Sequence, residues 1–356
     1  MYEPKYNITN EILSNIGLIE AAKEVIENSP LVPIYEARFV KDAILRTVHH
    51  GTHIEGNDLS LNEAKKVMEG EPVVARDRDV QEVINYREVI DCLDGMVPKT
   101  GETNFLYQQA MLKQINSIAC NRIIVDYQVG DYRKTQVVLK NSLTGEIVFR
   151  PPKAIEVPYL LEDFFAWLNS PSGKRTHPVL RAGITHYVLV AIHPFIEANG
   201  RTARAFTTLV LFAENYDIKR FFSLEEYFDK DASRYYSSIM EVDKRDSDLT
   251  KRDLTIWLEY FTQAMAIELT RVKEKVKQLS FDLKVKGRME GQINLNERQT
   301  KLMEYIQEKG SISLTEARKI TPNYSPDTLT RDFNFFVDKG LVHKEGKTKA
   351  ARYVLK

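Results

Sequence analysis

Hydrophobic residues recur at intervals of three and four along most of the chain, the spacing that places apolar side chains on one face of an α-helix. Before residue 250 this spacing predicts helices over 16–28, 36–49, 61–68, 79–96, 105–118, 159–169, 179–192, 202–215 and 232–242. A longer pattern runs from residue 251 to about 285, beginning apolar and becoming charged. We therefore expect a mainly α protein.

One segment, residues 132–152, interrupts the helical pattern. Two β-branched runs, 135–139 and 146–149, flank a turn that contains Gly145, and Pro151 follows the second run. This arrangement predicts a β-hairpin with a loop of several residues. A lone hairpin in a helical protein has free edges, which can accept an extended segment of another chain.

The C-terminal part is predicted to be a separate small domain, residues 293–356. It follows a polar, basic stretch with two glycines, 284–292, which we take as a linker. Three helices (297–309, 314–320 and 327–339) precede two short strands, the order of a winged helix-turn-helix domain. Residues 290–356 hold 12 Lys and Arg against 9 Asp and Glu, a net charge of only +3. This charge favours protein contact or a scaffold role and leaves DNA binding as the alternative.

Composition limits the class of protein. Hydrophobic residues make up 43% of the chain, charged residues 28%, and the net charge is zero, so no overall field attracts nucleic acid or a membrane. The N-terminus has no secretory signal pattern, and no apolar run approaches the length of a membrane span. With only two cysteines, Cys92 and Cys120, a disulfide framework is not indicated. We expect a cytoplasmic protein without a membrane partner.

The stretch AIHPFIEANGRTARAF, residues 191–206, concentrates the chemistry. Pro194 ends an apolar helix, so His193 lies where the chain leaves the core, and a histidine there can act as a general base. Glu197 is a hard oxygen ligand suited to Mg²⁺ that bridges phosphates. Asn199 and Gly200 form a turn before the next helix, whose N-terminal N–H groups suit an anion.

Two arginines reinforce that anion site, because Arg201 and Arg204 are three residues apart and project from one side of the first helical turn. A lone histidine or an Asn-Gly pair is usually structural. Their combination with a carboxylate and two arginines favours a phosphate-handling active site. The chain lacks GxxxxGK[ST], HRD and DFG, which excludes a P-loop enzyme and a protein kinase.

Residues 193–204 resemble the Fic-family motif HPFx(D/E)GNGRxxR and differ from it only at Ala198. The resemblance covers roughly residues 36–245. It implies a Fic-fold helical core (101–283) after an N-terminal helical region (1–100), with the hairpin as a flap over the active site. The residues of the flap that would dock a target's extended segment are Thr135, Gln136, Val137 and Val138.

The resemblance also implies an activity, the transfer of AMP from ATP to a Ser, Thr or Tyr hydroxyl of a protein target, and the enzyme itself is one candidate target. His193 would deprotonate that hydroxyl, and Glu197 would hold Mg²⁺ on the α- and β-phosphates. Ala198, Asn199, Gly200 and Arg201 would cradle the phosphates, and Arg204 would pair with the γ-phosphate. Such a transfer depends mainly on positioning and charge stabilisation.

Ala198 stands where the family usually has glycine, and its backbone angle decides the consequence. A negative φ would be tolerated, whereas a positive φ would cost on the order of 1 kcal/mol. In either case the N–H group remains available to a phosphate.

The segment HHGTHIEGNDLSLNEA, residues 49–64, resembles the family's inhibitory motif [S/T]xxxE[G/N] around 49–57. Ser60 and Glu63 form a helix capping box, which explains only the end of the segment. The position four before Glu55 is Gly51, and the hydroxyl appears at Thr52. By resemblance Glu55 would pair with Arg204 and keep ATP unproductive.

Two alternative functions stay open at this stage. Removal of AMP from a modified protein could use the same site, with Glu55 positioning a water. The chain could instead be a DNA-binding regulator that carries a Fic domain. The target and a homodimer are also left open by the sequence.

Overall fold

The computed structural model describes residues 2–97, 105–140, 147–244, 246, 248–286, 295–322, 324–346 and 351–355. The chain divides into two compact units, Met1–Ser29 with Phe39–Lys277, and Pro30–Arg38 with Gln278–Lys356. Most of the predicted N-terminal region (1–100) and core (101–283) thus falls within the first unit, but residues 30–38 and 278–283 fall within the second. The predicted linker begins inside a helix that continues to Lys286, and residues 287–294 lie outside the described part.

The helices of the first unit agree with the predicted mainly α class. They are α1 (Asn10–Asn28), α2 (Pro33–His53), α3 (Leu61–Met68), α4 (Asp77–Met96), α5 (Gln109–Ala119), α6 (Val157–Asn169), α7 (Pro171–Arg175), α8 (Pro178–Ile192), α9 (Asn199–Ala213), α10 (Leu224–Lys230), α11 (Ala232–Asp243) and α12 (Thr255–Lys286). Short 3₁₀ turns lie at Asp126–Gln128, Ala154–Glu156, Ile218–Arg220 and Leu249–Lys251. The first residues of α2 and the last residues of α12 belong to the second unit.

Helix α8 forms the centre of this unit and is buried on nearly all sides. Its sequence is apolar around the whole circumference, which is typical of a helix enclosed by others. It packs against α6 and α9, and Trp257 of α12 donates from its indole nitrogen to the Gly183 carbonyl at 2.7 Å. The glycine permits this contact, since a Cβ at position 183 would lie 2.9 Å from Leu258 and Phe261. The closely packed and buried α8–α9 pair supports the loop between them.

The flap (residues 132–152) contains a shorter ladder than the sequence predicts. Strands β1 (Leu139–Lys140) and β2 (Ile147–Phe149) pair antiparallel, and residues 141–146 lie outside the described part. The expectation that Thr135, Gln136, Val137 and Val138 lie in the first strand is wrong. Around these residues, side-chain hydrogen bonds to main-chain carbonyls are present where strand pairing was expected. Gln136 Nε2 donates to the carbonyls of Val137 and Pro151, and Arg133 donates to the Thr135 carbonyl.

The second unit contains α13 (Glu297–Lys309), β3 (Ser311–Ser313), α14 (Leu314–Ile320), α15 (Pro326–Asp338), β4 (Val342–Glu345) and β5 (Arg352–Leu355). The strands form an antiparallel sheet in the order β3-β5-β4. Three helices followed by two strands is the predicted order, and β3 was not predicted because three residues give too short a pattern. The winged-helix assignment itself stays a prediction.

One acidic residue of α15 is compensated by the neighbouring helix. Asp332 is buried and accepts hydrogen bonds from Arg298 and Gln299 of α13, so its charge is compensated inside the unit. Phe333 on the same helix stacks on Tyr353 of β5 at 4.1 Å between ring centroids. Across the residues that the structure describes, no helix is both long and apolar enough to span a bilayer.

Candidate active site

The active-site loop (residues 193–204) connects α8 to α9 through two residues in the left-handed region. His193 ends α8 with φ 51°, and Ala198 precedes α9 with φ 57°. Asn199 closes the loop, since its side-chain oxygen accepts from the Phe195 N–H at 2.8 Å and its amide donates to the Phe195 carbonyl at 2.9 Å. Phe195 is buried and anchors the loop in the core.

The positive φ at Ala198 settles the question that its sequence position raises. Alanine in the left-handed region costs on the order of 1 kcal/mol, a strain that the usual glycine would avoid. No side chain caps the start of α9, so the first N–H groups of this helix face the loop without a side-chain acceptor. The side chain of Asn199 is occupied by Phe195, and only its main chain can contribute to an anion site.

Glu55 occupies this anion site. Its Oε1 accepts from Arg204 Nη2 at 2.7 Å, and its Oε2 accepts from Arg201 Nε at 2.8 Å. Both arginine side chains are almost fully buried, whereas 23% of the Glu55 side chain is exposed. The structure thus brings Glu55 to Arg204, as the resemblance implies, and adds Arg201 as a second partner.

Glycine at position 200 makes this approach possible. A Cβ there would lie 2.3 Å from Glu55 Oε1 and 3.0 Å from Arg204 Nη1. Loss of solvent raises the pKa of the Glu55 carboxyl, but the charges and hydrogen bonds of Arg204 and Arg201 outweigh it and hold that pKa below its ordinary value. The carboxylate is therefore charged at neutral pH.

Glu55 follows the end of helix α2, and Gly51 in the last turns of this helix packs closely against Tyr86. A Cβ at Gly51 would lie 2.3 Å from Cε1 of the buried Tyr86 on α4, so no Ser or Thr fits there without displacement. The Gly51 carbonyl also accepts from Arg204 Nη2 at 2.7 Å. The Thr52 hydroxyl donates within its own helix, to the Val48 and His49 carbonyls. Packing against Tyr86 explains why this segment departs from the usual hydroxyl position.

Glu197 lies beside the arginines and is held by a residue that the sequence did not point to. Arg78 of α4 places Nη2 3.1 Å from Glu197 Oε1, and Arg201 Nη2 lies 3.4 Å from the same oxygen. Asn116 of α5 fixes the main chain by donating to the Glu197 carbonyl at 2.9 Å. With 28% of its side chain exposed, Glu197 remains accessible from solvent.

The Glu197 carboxylate suits a cation whose remaining ligands come from a bound nucleotide and from water. No cluster of three or more His, Cys, Asp or Glu able to hold a metal occurs in the described residues. Mg²⁺ in proteins often binds through one or two carboxylates and completes its shell with phosphate and water oxygens. Glu197 therefore fits the protein's share of a magnesium–nucleotide site.

His193 has the protonation state of a base. Burial lowers the pKa of His193 to about 4, and the charge of Arg133 acts in the same direction. The hydrogen bond to the Val190 carbonyl raises this pKa but does not outweigh burial. Its Nδ1 lies 3.4 Å from the Val190 carbonyl. Because a carbonyl can only accept, this contact places the proton on Nδ1 and leaves the lone pair on Nε2.

Glu82 and Asn57 connect the candidate inhibitory segment (residues 49–57) to the same site. Asn57 Nδ2 donates to Glu82 Oε2 at 3.1 Å and to the Asp79 carbonyl at 3.0 Å. Glu82 Oε1 lies 3.4 Å from Arg201 Nη2. The start of α4 thus contacts both the candidate inhibitory segment and the active-site loop, which no local sequence pattern indicates.

Comparison with known proteins agrees with this geometry. The model of the Fic/DOC family matches residues 106–211, which include His193 and the first turns of α9. The chain therefore contains a Fic domain, which the family model places at residues 106–211. The matched segment contains the flap, α8 and the active-site loop, and the fold extends beyond it.

Relatives and solved structures extend the likeness. The chain is 28% identical over 183 residues to Protein adenylyltransferase Fic of Drosophila grimshawi, covering 50% of this chain and 35% of that protein. A protein of the same name from Nematostella vectensis is 24% identical over 217 residues, 59% of this chain and 48% of the relative. The chain thus spans between a third and a half of these relatives.

Two crystal structures share the Fic fold. A Fic family protein from Desulfovibrio desulfuricans superimposes with a TM-score of 0.66 at 20% identity, over 100% of this chain and 98% of that one. A Fic domain containing signaling protein from Bacteroides thetaiotaomicron gives 0.62 at 19% identity, over 74% and 97%.

Proposed function

We propose that this Fic protein transfers AMP from ATP to a hydroxyl group of a protein and that Glu55 restrains the reaction. Relatives that carry the name protein adenylyltransferase support the reaction class. The observation that carries the proposal is local. A neutral histidine, an uncapped helix N-terminus and two buried arginines meet in one loop.

The arginines are suited to phosphate oxygens. The Glu55 carboxylate lies between them and accepts from both, which supports an anion site at this position. Arg201 Nη1 is buried and has no hydrogen-bond partner within the described residues. A buried donor without an acceptor is costly, and a triphosphate supplies several acceptors at once.

Every bond and proton in the proposed transfer can be assigned to a group of the substrates or of the protein. The oxygen of the target hydroxyl attacks the α-phosphorus, a P–O bond to it forms, and the bond to the bridging oxygen breaks so that pyrophosphate leaves. The hydroxyl proton passes to His193 Nε2. Mg²⁺ beside Glu197 would neutralise charge on the phosphates during this step. Arg201 and Arg204 hold the phosphates in line, which supplies the positioning on which such transfers depend.

Restraint follows from competition for the same arginines. Glu55 uses Arg204 Nη2 and Arg201 Nε, so a γ-phosphate that needs Arg204 has to displace the carboxylate. Arg204 cannot pair fully with both anions at once. In this proposal ATP reaches its productive position only when the inhibitory segment moves.

The flap serves the protein substrate. Thr135 and Gln136 are exposed, and Val137 and Val138 are half-buried, so an extended target segment could add along this edge. Main-chain pairing tolerates many sequences and therefore does not define the target. We retain these residues as docking candidates, although they do not form a strand in this structure.

Mass spectrometry tests the proposal. Glu55→Gly is incubated with ATP, Mg²⁺ and cell lysate, and proteins are searched for an AMP adduct on Ser, Thr or Tyr, including this chain itself. We expect adducts that vanish in the Glu55→Gly/His193→Ala double variant. The reverse assay starts from an AMP-modified protein. Loss of AMP with wild type, together with no adduct formation by any variant, would replace transfer by de-AMPylation.

A further inference from the structure

Arg133 at the base of the flap is buried, with only 2% of the residue exposed. Its guanidinium donates to carbonyls on both sides of the flap, Thr135 at 3.3 Å and Pro152 at 2.5 Å. It also donates to the end of α8, from Nε to the His193 carbonyl at 2.8 Å and from Nη2 to Ile192 at 3.4 Å. One side chain therefore connects both flap ends to the histidine.

The main chain at Arg133 adds a further link. Its N–H donates to the Pro194 carbonyl at 2.9 Å, so both sides of His193 along the chain are tied to the flap base. His193 is in the left-handed region, a conformation that costs energy for a residue other than glycine. Such strain persists only where surrounding contacts hold it.

The partners of this guanidinium are main-chain carbonyls, as far as the described hydrogen bonds go. A cation near the C-terminus of a helix satisfies carbonyls that have no partner within the helix and opposes the negative end of its dipole. Bonds to the α8 end alone would complete that capping function. The additional bonds to Thr135 and Pro152 are not needed for it, and they join a second element to the same group.

We propose that Arg133 is a positioning residue that fixes the flap in register with His193, so that a hydroxyl docked on the flap meets the base. This inference rests on the proposed adenylyl transfer. Within the described residues, the hydrogen bonds of the Arg133 guanidinium reach neither the His193 side chain nor the phosphate cradle, and Arg133 acts through the His193 main chain. Because transfer requires close alignment, a displacement of about 1 Å between base and acceptor can cost on the order of 100-fold in rate.

Kinetics in the Glu55→Gly background test the proposal. We expect Arg133→Ala to lower kcat for protein modification at least tenfold while KM for ATP changes less than about twofold, because the cradle is untouched. Arg133→Lys should be intermediate, since one ammonium cannot reach the carbonyls of His193 and Pro152 together. Added guanidinium ion should restore part of the rate of Arg133→Ala. The control is Lys134→Ala, which removes an exposed charge from the neighbouring position.

Hydrogen exchange supplies a readout that does not depend on activity. In Arg133→Ala, peptides spanning 147–152 and 189–196 should both exchange faster, whereas Lys134→Ala should change neither. Unchanged kcat, or faster exchange in only one of the two peptides, would overturn the coupling. An equal loss of kcat, ATP affinity and thermal stability without guanidinium rescue would reduce Arg133 to a purely structural role. If the Glu55→Gly parent is itself inactive, adenylyl transfer fails while the exchange result still decides the coupling.

Discussion

Removal of the Glu55 carboxylate should release the site, and the size of the effect follows from its contacts. Glu55 accepts one hydrogen bond from Arg204 at 2.7 Å and one from Arg201 at 2.8 Å. A hydrogen bond to a charged group contributes about 1.5–3 kcal/mol. Because 23% of the Glu55 side chain is exposed, solvent screening favours the lower end of this range for both bonds.

The two bonds together then oppose ATP by about 3 kcal/mol, and a factor of ten corresponds to about 1.4 kcal/mol. We expect Glu55→Gly to raise kcat/KM for ATP in protein modification by about 100-fold. Initial rates of labelled AMP incorporation at subsaturating ATP measure this. Glu55→Gln, which keeps an acceptor without the charge, should give a smaller increase. Glu71→Gly is the matched control, because Glu71 is an exposed glutamate in a loop.

The free energy of unfolding of Glu55→Gly gives a second, independent test of the same prediction. Without Glu55, the buried guanidinium groups of Arg201 and Arg204 lose their shared partner, and breaking such a pair costs roughly 3 kcal/mol or more. Glu55→Gly should therefore unfold at a lower denaturant concentration than wild type. ATP with Mg²⁺ should raise the unfolding midpoint of the variant more than that of wild type. A variant with unchanged stability and an unchanged kcat/KM would refute the competition between Glu55 and ATP.

Three further outcomes follow from the site. Ala198→Gly should be neutral or stabilising by up to about 1 kcal/mol in urea unfolding, and a clear loss would contradict the left-handed backbone at this position. With the pKa of His193 at about 4, kcat/KM of Glu55→Gly should stay nearly constant from pH 8 to pH 6 and fall only as the pH approaches 4; an ordinary pKa near 6.5 would give about a fourfold drop by pH 6. Arg78→Ala removes the cation beside Glu197, so half-maximal transfer should need about two- to fivefold less Mg²⁺, as expected for a partly exposed pair. Arg87→Ala breaks an ion pair elsewhere on α4 and should need the same Mg²⁺ concentration as its parent for half-maximal transfer.

The local chemistry was predictable because it is contiguous in sequence. A histidine after an apolar helix, an Asn-Gly turn and arginines three apart predict a base and an anion site from spacing alone. Helices with strong apolar periodicity were predicted with bounds within a few residues, α3 and α13 among them. The helices α7 and α10 were missed, and in α7 five residues carry too little of the period to be recognised.

Partners that come from distant parts of the chain were not predictable. Arg133 lies 60 residues from His193, and Asn116 lies 81 residues from Glu197, so only the fold brings each pair together. Arg78 reaches Glu197 from the first turn of α4. The departure at Gly51 has a physical explanation only once Tyr86 is seen against it. The extent of strand β1 was overestimated, since β-branched residues indicate a strand without showing which groups take its hydrogen bonds.

The central claim is that the site moves the α-phosphoryl group with its adenosine. Glu55→Gly incubated in parallel with ATP labelled at the α-phosphate and ATP labelled at the γ-phosphate tests this directly. The account predicts protein-bound label from the α-position only, with its loss in Glu55→Gly/His193→Ala. Label carried over from the γ-position, or equal α-label in both variants, would contradict it.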